Sequence, residues 1–190
     1  MQSALLKTIL SLASIVTIVG CGPGGNLTVV EKRQAVMDME NETLERLYRE
    51  APATKERIAK AAGYGTFSNA NVNLIIASAG GGYGVVVDNA TGKRTYMKMA
   101  LGGVGLGLGV KDYRVVMIFR NKTTLDNFVR SGWDFGAHAD AAAKAGKTGG
   151  ELSGEGDIIS GIEVYSMTES GLALQATVAG TKYWKDDELN

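Results

Sequence analysis

Apolar residues recur at helical spacing between Val29 and Glu50. Val29, Val36, Met39, Leu44, Leu47 and Tyr48 form a stripe on an otherwise charged segment, which predicts an amphipathic helix. Pro52 ends it, and Thr54 caps a short second helix reaching Ala62. The period then falls to two. Tyr64 to Phe67, Val72 to Ser78, Gly82 to Asp88 and Lys93 to Leu101 read as strands, the last two joined by the turn Asn89-Ala90-Thr91-Gly92. A glycine-alternating strand follows, then Tyr113 to Arg120, then a helix from Asn121 to Val129 ended near Gly132. Trp133 to Gly146 is rich in small residues and fits helix or strand, and residues 147–156 read as a polar loop. Ile158 to Met167 and Leu172 to Ala179 form a last hairpin around Glu169-Ser170-Gly171, and Lys182 to Asn190 reads as a charged tail. The pattern predicts an α+β fold: a curved, mostly antiparallel sheet or partial barrel, packed with N-terminal helices and one internal helix.

The glycine-alternating strand is the most unusual stretch. Gly103, Gly105, Gly107 and Gly109 alternate with Val104, Leu106, Leu108 and Val110, so one strand face is bare backbone and the other aliphatic. Glycine inside a strand marks close approach by another backbone, a bend or a ligand. Two readings follow: a helix or sheet packed on the bare face, or a shallow groove for an extended apolar ligand such as an acyl chain.

The N-terminus has the parts of a secretory signal. Lys7 is followed by an apolar run from Thr8 to Val19, too short to span a hydrocarbon core that needs roughly 20 residues. Ile18-Val19-Gly20-Cys21 is similar to the bacterial lipobox, in which cleavage before the cysteine exposes a thiol for acylation, palmitate among the chains used. Residues 1–20 are the expected signal peptide, 21–28 the lipidated cysteine and tether, and 29–190 a single domain. Gly22, rather than Asp, after the cysteine favours the outer membrane on the pattern of enterobacterial lipoproteins. The expected location is the bacterial cell envelope, lipid-anchored and facing the periplasm.

Charge excludes some partners. The sequence carries 20 basic and 20 acidic residues, so it offers no global field for nucleic acid. The first helix sets Lys32, Arg33, Arg46 and Arg49 against six acids. A membrane-binding helix shows a basic polar face, so this stripe is expected to pack on the sheet. Lys93, Arg94, Lys98, Lys111 and Arg114 cluster around two turns of the sheet. They read as a solvated edge or, if brought together, as a site for lipid phosphate.

Motifs for chemistry are wanting. Ala145-Gly146-Lys147-Thr148 has the end of a phosphate loop, but Ala141 stands where glycine is needed. His138 is the single histidine and Cys21 the single cysteine, too few for a histidine–cysteine metal site. No G-x-S-x-G elbow occurs. The expectation is a non-catalytic protein without cofactor or metal.

Several motifs together resemble the SYLF family, also called the Ysc84 domain, over roughly Ile58 to Asn190. They are Gly80-Gly81-Gly82-Tyr83-Gly84, the run Gly102 to Gly109, Phe135-Gly136-Ala137-His138-Ala139-Asp140, Tyr165-Ser166 with Gly171-Leu172, and Gly180 followed by Asp186 and Asn190. Phe67-Ser68 stands where the family often has Phe-Pro, and His138 where it often has Asp, as in a divergent bacterial branch. The family is known for binding membrane lipids, phosphoinositides in eukaryotic members, and actin in fungi; bacterial members are commonly exported lipoproteins. The resemblance implies an envelope lipoprotein whose domain binds phospholipid or another apolar ligand. The alternative is a structural or protein-interaction module with no ligand of its own. The partners implied are the membrane, through acylated Cys21, and phospholipid. The sequence names no protein partner.

Overall fold

The computed structural model describes residues 27–74, 77–104, 112–134, 157–159, 161–168, 171–173 and 181–190. Helix α1 spans Val29–Glu50 and starts on a reciprocal cap. Thr28 Oγ1 accepts the Glu31 N–H at 3.3 Å, and the Glu31 carboxylate accepts the Thr28 N–H at 2.8 Å. Helix α2 is Thr54–Lys60. Strands β1 (Gly63–Leu74), β2 (Ala77–Asp88), β3 (Arg94–Val104) and β4 (Asp112–Phe119) precede helix α3 (Lys122–Ser131). Then come β5 (Trp133–Asp134), β6 (Asp157–Ile159), β7 (Ile162–Thr168), β8 (Gly171–Ala173) and β9 (Thr181–Lys185). These nine strands make one sheet in the order β5-β9-β3-β2-β1-β4-β7-β6, with β8 on β7. All pairings are antiparallel, and the sheet curls into a half-barrel. The α+β architecture expected from the pattern is the one observed.

Three elements differ from the pattern's reading. Tyr64 to Phe67 and Val72 to Leu74 are one strand, because the polar stretch Ser68 to Asn71 pairs with Tyr83 to Gly80 of β2. Cross-strand bonding there overrides the weak strand preference of asparagine. Ile158 to Met167 is two strands. Gly161, at φ 84°, permits the reversal that pairs Ile159 with Ile162. The charged C-terminus is not a free tail. Residues Thr181–Lys185 lie between β3 and β5, and Tyr183 is buried.

Both faces of the sheet are covered. On one, Phe67, Val86, Met97, Met99, Val115, Met117, Ile162, Val164 and Tyr183 pack with Phe119, Leu125 and Phe128 in a core closed by α3. The other face lies under α1 and α2. Val85, Val87, Tyr96, Val116, Ile118, Tyr165 and Met167 meet Val36, Met39, Leu47, Ile58 and Leu189 there. Burial on both faces explains why β4 reads Val-Val-Met-Ile-Phe without polar alternation.

Candidate functional site

The face under α1 holds the described basic candidates. Lys98, Tyr83, Ser68 and Arg114 stand in one transverse row, on β3, β2, β1 and β4. Three strand spacings therefore separate Lys98 from Arg114, about 14 Å. Arg94 lies four residues before Lys98 on the same strand face, again about 14 Å away. The structure puts these cations on one face but does not converge them on one anion. Each is met by a carboxylate instead. Arg94 Nη2 lies 3.4 Å from Glu40 Oε2. Lys98 Nζ lies 3.1 Å from Asp186 Oδ1. Arg114 Nη2 lies 3.0 Å from Glu42 Oε2, and its Nη1 donates to Thr43 Oγ1 at 3.2 Å. Lys93 is exposed on the β2–β3 turn. Lys111 lies outside the described residues, as do Cys21 and His138.

Glu40 is the centre of this arrangement. It is 1% exposed, and it accepts a hydrogen bond from Tyr64 Oη at 2.7 Å. Burial first, and then this bond to an anion, push the Tyr64 phenol well above its ordinary range. A second buried carboxylate, Glu163 on β7, is held by Arg120 at 2.8 Å and Arg57 at 3.3 Å. Tyr165 Oη donates to it at 3.4 Å.

The C-terminal residues complete the edge of β3. Beyond the end of β9, the Tyr96 carbonyl accepts the Asp186 N–H at 3.0 Å. The Asn190 side chain donates to the same carbonyl at 2.7 Å and accepts the Tyr96 N–H at 3.0 Å. One carboxamide thus stands in for a peptide unit of a further strand. The segment is also tied to the start of α1. Lys32 pairs with Glu188, and Arg33 Nε donates to the Leu189 carbonyl at 2.9 Å.

Of the glycine strand, Gly103 pairs with Ser78, while Gly105, Gly107 and Gly109 lie outside the described residues. Two glycines elsewhere in the sheet are closely packed. A Cβ on Gly84 would lie 2.2 Å from the Thr66 carbonyl oxygen and 2.4 Å from the Phe67 ring. One on Gly63 would lie 2.3 Å from Leu125 Cδ1. These two glycines admit core side chains. Among the described residues, no group of three or more His, Cys, Asp or Glu side chains is placed to hold a metal.

Residues 100–190 match the family described as Ysc84, Las17-binding protein actin regulator. The chain is also 38% identical over 162 residues to Beta cell expansion factor A of Aeromonas veronii. That alignment covers 85% of this chain and 60% of the relative, so the chain spans less than two thirds of that protein's length.

Residues 100–190 belong to the Ysc84, or SYLF, family.

The SYLF motifs acquire places in the fold. Gly80 to Gly84 lie in β2, and Tyr165-Ser166 and Gly171-Leu172 lie on the paired strands β7 and β8. Asp186 and Asn190 form the clamp on Tyr96. Sequence reasoning passed over Glu40, Glu163 and this clamp. Glu40 left a readable signal: it falls on the helical stripe Val36, Glu40, Thr43, Leu47, where a charge demands a partner. Glu163 left none beyond its place among the apolar residues of β7.

Proposed function

We propose that this SYLF protein is a lipid-anchored component of the bacterial cell envelope whose domain binds phospholipid or another apolar ligand without chemistry. The observation that carries the reading is the position of the α1 cap. Thr28 caps α1, seven residues after Cys21, the candidate acylation site. Six residue steps separate Cys21 from Leu27, which reach about 20 Å when extended. An acylated Cys21 would hold the domain against its membrane, where lipid is the ligand at highest local concentration. Among the described residues, no helix is long and apolar enough to cross a membrane.

The mature chain carrying Cys21→Ser separates domain recognition from anchoring. It is expected to co-sediment with phospholipid vesicles, more weakly than the acylated chain. Failure to bind neutral or anionic vesicles at any salt concentration would remove lipid recognition by the domain. The second reading, a structural or protein-interaction module, draws support from the carboxylates on Arg94, Lys98 and Arg114 and from the filled space at Gly63 and Gly84. It gains if those vesicle assays are negative.

A further inference from the structure

Among the described residues, four large apolar side chains are exposed: Leu27 at 37%, Val29 at 37%, Val30 at 74% and Trp184 at 39%. They belong to one corner of the domain. The first three are the entry and first turn of α1. Trp184 sits on β9, two residues before the segment Asp186 to Leu189. That segment is bound to the same turns of α1 through Lys32 with Glu188 and Arg33 with Leu189. The rest of the α1 stripe, Val36, Met39 and Leu47, is buried on the sheet. Among the described residues, exposure of large apolar side chains is thus confined to this corner, which holds the described residues nearest to Cys21 in the sequence, and Lys182 stands two residues before Trp184 on the same strand face. Tryptophan with lysine beside short aliphatic side chains is the composition of a membrane-interface contact.

We infer that Leu27, Val29, Val30 and Trp184 seat in the headgroup–acyl boundary of the bilayer that carries Cys21. The inference rests on the anchored reading above and adds to it an orientation and a contact surface. A tether about 20 Å long cannot carry the corner far beyond a headgroup layer several ångströms thick. Four side chains would bind a membrane weakly alone. The tether makes their insertion intramolecular and supplies the effective concentration they lack. With this corner down, the Glu50 end of α1 stands farther from the bilayer. The contact is the apolar first turn together with the β9 edge, and the acidic side of α1 stays in water.

The test uses the full acylated chain in phosphatidylethanolamine–phosphatidylglycerol vesicles. Acylation consumes Cys21, so Val30→Cys or Glu50→Cys supplies the single free thiol for a polarity-sensitive fluorophore. The Val30→Cys label is expected to shift to the blue and to lose most of its emission to lipids brominated near the headgroup. The Glu50→Cys label is expected to do neither. Trp184 emission should be quenched by the same lipids, and Trp184→Phe should remove that quenching. Equal water exposure of both labels on vesicle-bound protein would overturn the inference and leave the anchored reading standing. A blue shift without bromolipid quenching would mean a protein contact at this corner, and would also overturn it. Absence of the chain from the vesicles would overturn both.

Discussion

A carboxylate buried beneath a helix has lost its water and must recover that loss from neighbours. Glu163 does so with Arg57, Arg120 and Tyr165, and Glu40 with Tyr64 and Arg94. Such groups contribute little net stability when complete and cost much when half removed. The asymmetry gives a prediction. Glu163→Gln keeps the shape and removes the charge, and is expected to cost under about 1.5 kcal/mol in urea unfolding. Arg57→Met with Arg120→Met leaves the buried anion without its cations and is expected to cost about 3–5 kcal/mol. If the glutamine variant proved the more damaging, Glu163 would be doing something other than structural pairing. Residue types alone said that lysines and arginines were present near the sheet turns. Which carboxylate each would meet was not legible, because the partners come from elements distant in sequence: Glu40 from α1 for Arg94, Asp186 from the C-terminus for Lys98.

At the scale of elements, the pattern located the helices well. A helical stripe and a following proline are local signals, and α1 runs from Val29 to Glu50 as they indicate. Thr54, expected to cap α2, is instead its first residue, with Ala53 at the cap and the Thr54 hydroxyl donating to the Ala51 carbonyl. The β2–β3 hairpin was equally legible, because Gly92 at φ 69° supplies a turn that most residues resist. The C-terminal strand was not. Its residues are charged, and it is a strand because β3 offers it an edge. The Asn190 carboxamide then completes that edge at Tyr96. Asn190→Ala leaves the Tyr96 N–H without its side-chain acceptor, at an expected cost of about 1–3 kcal/mol. Amide hydrogen exchange should show the loss first at Tyr96, with the inner strands β1 and β4 still protected. Loss of protection throughout the sheet would mean that the C-terminal clamp is part of the cooperative core and not an edge device.

For the whole molecule, the two buried faces set the response to pH. Burial is the first cause that raises the Tyr64, Tyr48 and Tyr83 phenols. Their protonated forms are favoured in the folded state. The corresponding stability is complete below the unfolded value of about 10 and is lost as pH rises above it. Asp88 runs the other way. Burial pushes its carboxyl up, but bonds from Lys122 and the Ala90 and Thr91 N–H groups outweigh that and hold it below its ordinary value. Glu31 is lowered by Thr28, and Glu188 by Lys32. The unfolded chain therefore binds more protons at these groups, and stability falls as pH drops below about 4. Urea midpoints measured across pH should show a plateau between these limits. Tyr64→Phe should flatten the alkaline side, and an unchanged alkaline slope would mean that Tyr64 does not carry it. The sequence by itself determined the class of fold, the start of α1, the hairpin turn, the family motifs and the single cysteine that could be acylated. All of these depend on spacings within a few residues or on residues that stand alone. Only the tertiary structure decided that Lys98 lies about 14 Å from Arg94 and about 14 Å from Arg114, each cation on its own acid, and that the exposed apolar residues among those described gather at one corner. Strand period two says which residues share a face. Where both faces are buried it does not say what covers each, and that depends on the long-range register of the sheet and the path of α1 across it.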